Sequence, residues 1–168
     1  MRTLLTLACG AVLLGLFGCG NSAPGPEESA NNADQMRDQV HDTVRTVVAG
    51  LREKGIEVTE ATGSYSACGM QNPQVEYGAG FGTTPESGPI EEQIEAAREV
   101  IEGLGLDMVE SDTPNYVSTD AAKAEIRVSA KESRQDDSIL NVEVVHECID
   151  TDEDVVDERI SLDADTIE

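Results

Sequence analysis

Chemistry in this chain could rest on few residues: two histidines, four cysteines and one dense acidic run. His41 lies between Val40 and Val44 in a helical pattern, and His146 stands two positions before Cys148. An imidazole is the commonest general base, yet neither histidine sits in a catalytic motif, and both read as packed or solvated side chains. A nucleophilic serine would occupy a G-x-S-x-G turn; Gly63-Ser64-Tyr65-Ser66-Ala67-Cys68 comes nearest and does not fit. Zinc sites show closely spaced ligand pairs, and His146 with Cys148 has no second pair to join. A thioredoxin-like C-x-x-C is missing. Asp150-Thr151-Asp152-Glu153-Asp154 opens like a calcium loop. It fails at the sixth position, Val155, where glycine belongs, and at the twelfth, Ser161, where a bidentate Glu belongs. Gly78, Gly80 and Gly82 alternate but lack both the phosphate-loop ending and the dinucleotide spacing. They are expected to let a helix approach the strand closely. No catalytic set, metal or cofactor is assigned from these residues.

The N-terminus is more specific. Met1-Arg2 is a short basic start, and Thr3 to Phe17 carry no charge. A bilayer-spanning helix needs roughly 20 apolar residues; this shorter run matches a secretory signal peptide. Without twin arginines, the general secretory route is expected. The run ends Leu16-Phe17-Gly18-Cys19, which resembles a bacterial lipobox, although Phe17 departs from the usual small or β-branched residue. The resemblance implies cleavage after residue 18, a diacylglyceryl thioether on Cys19, and anchoring on the extracytoplasmic face of the cell membrane. Two acyl chains suffice for stable attachment. Gly20 to Asn32 contain no large apolar residue, so residues 19–33 read as lipidated cysteine plus flexible tether. Cys9 leaves with the leader and Cys19 is committed to lipid. Cys68 and Cys148 remain, in an oxidising compartment where such a pair bridges. Closing so long a loop stabilises a fold by roughly 4 kcal/mol in the chain-entropy model.

Eleven basic side chains face 34 acidic ones; losing Arg2 with the leader leaves 10 against 34, a net charge of −24. No basic stripe exists to displace phosphate counterions, which excludes nucleic acid as a partner. The same charge repels anionic lipid, so the membrane is met through the anchor alone. A basic protein or peptide partner in the envelope is compatible with it, as is acidity serving solubility only. Beyond the leader the aromatic residues are Tyr65, Tyr77, Phe81 and Tyr116, few for sugar or base stacking.

The elements that must position these residues follow from periodicity. Asp34 to Lys54 carries an apolar stripe at Met36, Val40, Val44, Val47, Val48 and Leu51, with Asp34 as N-cap and Gly55 as stop. Ile56 to Cys68 and Gln74 to Gly82 read as a hairpin around a turn-forming cluster. A second helix starts after Ser87-Gly88-Pro89, is striped by Ile90, Ile94, Ala97, Val100, Ile101 and Leu104, and ends at Gly103 and Gly105. Leu106 to Glu110 is a short strand and Ser111 to Asn115 a turn. Ala124–Ala130 and Leu140–Cys148 alternate as the clearest hairpin, with Cys148 on the face of Val142 and Val144. Val155-Val156 and Ile160-Ser161-Leu162 suggest an edge strand, and the final residues read as loose.

The order is α-β-β-α-β-β-β, an α+β two-layer sandwich with two amphipathic helices on one face of a mainly antiparallel sheet. The expected divisions are signal peptide 1–18, tether 19–33, one domain 34–162 and a loose acidic tail 163–168. In organisation the chain is similar to the small cell-envelope lipoproteins of actinobacteria, on the lipobox and the single wide pair Cys68 and Cys148. Many such proteins have no assigned activity, so the resemblance implies a place. The expectation is a non-enzymatic binding or envelope-support domain. The alternative is an extracytoplasmic hydrolase or metal-dependent enzyme, which would need His41 or His146 beside carboxylates in a pocket.

Overall fold

The computed structural model describes residues 24–68, 73–120 and 124–168; the leader and Cys19 lie outside them. Helix α1 (Pro26–Glu53) buries Ser29, Ala33, Met36, Val40, Val44, Val47 and Leu51, steps of three and four that make one stripe. Pro26 and two glutamates suit its first turn. It stops where Gly55 takes φ 82°: the amides of Gly55 and Ile56 turn back to the carbonyls of Arg52 and Leu51, a Schellman cap. Helix α2 (Ile90–Gly103) buries Gln93, Ile94, Ala97 and Ile101. The two helices touch at Gly50, where a β-carbon would lie 2.8 Å from Val100 Cγ1.

The strands are β1 (Ala61–Ala67), β2 (Gln74–Gly82), β3 (Met108–Val109), β4 (Tyr116–Thr119), β5 (Ile126–Glu132), β6 (Leu140–His146), β7 (Ile149–Asp150) and β8 (Asp165–Ile167). They form one antiparallel sheet in the order β3-β4-β5-β6-β2-β1-β8, with β7 also paired to β2. One face carries Tyr65, Val75, Tyr77, Ala79, Phe81, Val128, Val142 and Val144, all buried with the helix stripes in one core. The α+β sandwich is as expected. Its third helix, α3 (Glu153–Ile160), is not: it replaces the edge strand expected through Val155-Val156 and Ile160-Ser161-Leu162. Asp152 caps it, accepting from the Asp154 amide at 3.0 Å, and Val155 and Val156 close over β1 and α1.

Both ends of the fold reach beyond the expected 34–162. Pro26 to Ala33, expected as tether, are helical: Ser29 and Ala33 extend the stripe as small residues, and Ser29 Oγ accepts the Asp152 amide at 2.9 Å. The tail is not loose, because Asp165–Ile167 pairs with Ala61–Gly63 as an edge strand. Strand β4, paired with β5, follows the expected turn at Ser111–Asn115 and had no counterpart in the periodicity. Among the described residues no helix is long and apolar enough to cross a membrane.

Candidate functional site

The residues suited to acid–base chemistry are spent on architecture. Tyr77 is fully buried. Its hydroxyl donates to Asp165 Oδ2 at 3.2 Å and stands 2.9 Å from His41 Nε2. With the phenol proton given to Asp165, His41 Nε2–H is the donor to Tyr77. Burial and the neighbouring Asp165 push the Tyr77 hydroxyl well above its ordinary value, so it stays protonated. Burial pushes the His41 imidazole down, against the pull of Asp165. This cluster joins α1, β2 and β8. His146, on β6, does the same against Gln39, two residues from His41 on α1: Nε2 meets Gln39 Oε1 at 3.0 Å and Nδ1 the Glu147 carbonyl at 2.8 Å, with Glu125 4.0 Å away. The acidic run is likewise divided. Asp150 accepts from Gln74 Nε2 at 2.7 Å while Asp152 caps α3.

Cys68 and Cys148 form a disulfide, their Cα atoms 6.2 Å apart across 80 positions. It is not inside the sheet's core, as the alternation of β6 predicts. Gly78 pairs with Val145, but Val75 pairs with Ile149: three steps along β2 oppose four along the partner. The extra residue is a β-bulge. It hands the inward position to Ile149 and turns Cys148 out beside Glu76, 3.8 Å from its carboxylate. Glu76 and the two sulfurs lie within 4.8 Å of one another, a donor set that the bridge consumes.

The second correction is the glycine track. Gly78, Gly80 and Gly82 do not receive a helix. Helices cover the opposite face, filled by Val75, Tyr77, Ala79 and Phe81; the glycines leave the outer face bare. The result is a trough of about 530 Å³ running along β2. One wall is the hydroxyl ladder Thr62, Ser64 and Ser66 of β1; the other is Asn141, Glu143 and Val145 of β6, with Lys131 of β5 beyond. Register places Ser64 and Val145 either side of Gly78, and Thr62 and Glu143 either side of Gly80. Walls two strand spacings apart stand roughly 10 Å from each other, and side chains at alternate residues repeat every ~6.8 Å. Ser66 Oγ donates to Glu76 Oε1 at 3.0 Å at the cystine end.

Of the residues singled out by sequence, the structure joins Cys68 to Cys148, and puts the histidines in separate hydrogen-bond sets, His41 with Tyr77 and His146 with Gln39. Neither histidine lines the trough. The trough was missed, although Val75-Glu76-Tyr77-Gly78-Ala79-Gly80-Phe81 carries its signal: bulk on one face and none on the other. No family model matches the chain, and no curated protein and no solved structure is similar to it at a significant level.

Proposed function

We propose that this chain is a non-enzymatic, extracytoplasmic binding domain, held to the membrane through lipid on Cys19, whose trough takes an extended peptide segment of an envelope partner. The observation that carries the binding role is the bare glycine track between a hydroxyl ladder and a charged wall. An open antiparallel face is ordinarily tiled by side chains; here the middle strand has none for three alternate positions. The trough is one extended chain wide. Its hydroxyls recur at the ~6.8 Å period of a peptide in β conformation. Glu76 and Glu143 facing Lys131 offer complements to both signs of charge, whereas no aromatic platform stands ready for a sugar. The leader pattern and the Cys68–Cys148 bridge support an oxidising, exported location.

A displayed library of random decapeptides, selected on the purified protein, tests the trough. Selection should enrich specific sequences on the wild type and none on Gly78→Thr, which fills the floor. Equal enrichment on both, or none on either, overturns the reading. Intact mass of the membrane-extracted protein tests the address: an N-terminus at Cys19 bearing a diacylglyceryl group is expected. Full recovery without detergent would refute anchoring.

A further inference from the structure

We propose that Cys68, Cys148 and Glu76 bind a thiophilic divalent cation, zinc above all, whenever the bridge between the two cysteines is open. The three residues come from neighbouring strands. Cys68 follows β1, Cys148 lies between β6 and β7, and all these strands pair with β2, which carries Glu76. One ligand atom from each lies within 4.8 Å of the other two. Backbone bonds set these places without help from the sulfurs. The Cys68 amide donates to the Gln74 carbonyl at 3.1 Å and the Thr151 amide to the Pro73 carbonyl at 3.0 Å, while Ile149 pairs with Val75. Opening the S–S bond therefore leaves both sulfurs beside the carboxylate. The set is open to solvent, with Cys148 exposed and the other two half-buried, so an ion can enter directly.

Glu76 is already oriented as a ligand. Its Oε1 accepts from Ser66 Oγ at 3.0 Å, the kind of outer bond that fixes a metal-binding carboxylate. Its Oε2 is left turned to Cys148 Sγ, 3.8 Å away. No basic side chain meets it among the described residues. Two thiolates beside it would gather three negative charges with no positive one, which a divalent cation relieves. The sulfurs select the cation: thiolates favour zinc and other soft ions, whereas calcium and magnesium take oxygen ligands. Two thiolates and a carboxylate, with a fourth position for water, make a tetrahedral zinc set. Sulfurs on one tetrahedral zinc stand ~3.8 Å apart, within reach of Cα atoms 6.2 Å from each other.

Bridge and metal are alternatives. Every newly made chain carries the two thiols. Binding the ion releases two protons as both become thiolates. Closing the bridge instead passes two electrons and two protons to an exchange partner, whose own disulfide becomes two thiols. The metal-held pair cannot take that route until the ion leaves.

The test uses the full chain with Cys9 and Cys19 replaced by serine, so that one cysteine pair remains. A water-soluble phosphine opens the bridge, taking an oxygen from water and leaving as its oxide. Cobalt(II), a coloured stand-in for zinc, is then titrated in. One ion per chain should bind with a thiolate-to-cobalt charge-transfer band; zinc should displace it and calcium should not. The bridged chain should give no band. Glu76→Gln keeps both thiols and the Ser66 bond, and should weaken cobalt about tenfold or more, since even an outer partner of a metal is worth that much. Its bridged form should melt with the wild type. If opening the bridge unfolds the domain, zinc should restore its far-ultraviolet circular dichroism. No charge-transfer band, an equal band in the bridged chain, displacement by calcium, full affinity in Glu76→Gln, or an opened domain that zinc leaves unfolded would each overturn the proposal.

Discussion

One chemical change, a methyl group added to a glycine, should have opposite effects at two neighbouring positions. Gly63 pairs with Ala79, and Gly78 pairs with Ser64 one row away, so the two glycines face opposite sides of the sheet. A β-carbon on Gly63 would fall on the hydroxyl and ring of Tyr77. Tyr77 has no room to yield: it is 0% exposed, stacks edge-on against Tyr65 with centroids 4.7 Å apart, and is held by His41 and Asp165. Displacing it forfeits two hydrogen bonds at about 1 kcal/mol each, and overpacking of a core adds about 1–3 kcal/mol. Gly63→Ala should therefore destabilise the fold by about 3 kcal/mol. At Gly78 the new carbon meets Val145 Cγ2 at 3.5 Å and the Val144 carbonyl at 3.9 Å, both ordinary contacts, and the backbone is already extended. Gly78→Ala should stabilise by about 0.5 kcal/mol or slightly more, by restricting the unfolded chain. Urea unfolding followed by far-ultraviolet circular dichroism, with the disulfide intact, measures both; in melting temperature the Gly63 variant should lose roughly 10 °C. Equal effects at the two sites would show that Tyr77 does not stand over Gly63. A loss above 1 kcal/mol at Gly78 would show that the glycine track is covered rather than open.

Stability should also report the buried imidazole. The folded state holds His41 below its ordinary value, chiefly by burial, so its contribution is complete above the unfolded value of about 6.5 and is lost as pH falls through the folded one. The melting temperature of His41→Gln should drop less than that of wild type between pH 7.5 and 5, and parallel curves would refute this. Replacing Cys68 and Cys148 together with serine should cost about 4 kcal/mol. Because Cys148 is exposed, the reduced wild type should unfold at the same urea midpoint as the double variant. Gln93→Leu should cost about 3 kcal/mol by stranding the Thr83 hydroxyl and the carbonyls of Gly88 and Ser138, its partners at 2.5, 2.7 and 3.0 Å; retained stability would mean that these groups find water.

Sequence reading succeeded where a long apolar period left no alternative. Five buried positions in α1, Met36, Val40, Val44, Val47 and Leu51, and the alternation of Val128 to Ala130 and Leu140 to Val144 leave little choice of element or face. It failed where one residue or one short segment decides. A single extra residue before Ile149 reverses parity, so Cys148 could not be placed by counting from Val144. Val155 and Val156 are as good in a strand as in a helix until the Asp152 cap is seen. Ser29 and Ala33 are too small to register as apolar, yet α3 seals them. The trough was legible only in part: alternating glycines signalled close approach, but which side the helices take depends on the whole sheet.

Helix α1 begins at Pro26, which leaves few residues for mooring. Under the proposed anchoring, residues 20–25 alone join Cys19 to the first helical turn. Even drawn taut they reach roughly 25 Å, only about three Debye lengths at physiological salt. So anionic a globule would strain outward against so short a line, its helical end nearest the lipid. Whatever it grasps must come within that shallow layer, so its catch would be other membrane residents or wall material lying against the bilayer, and seldom anything adrift.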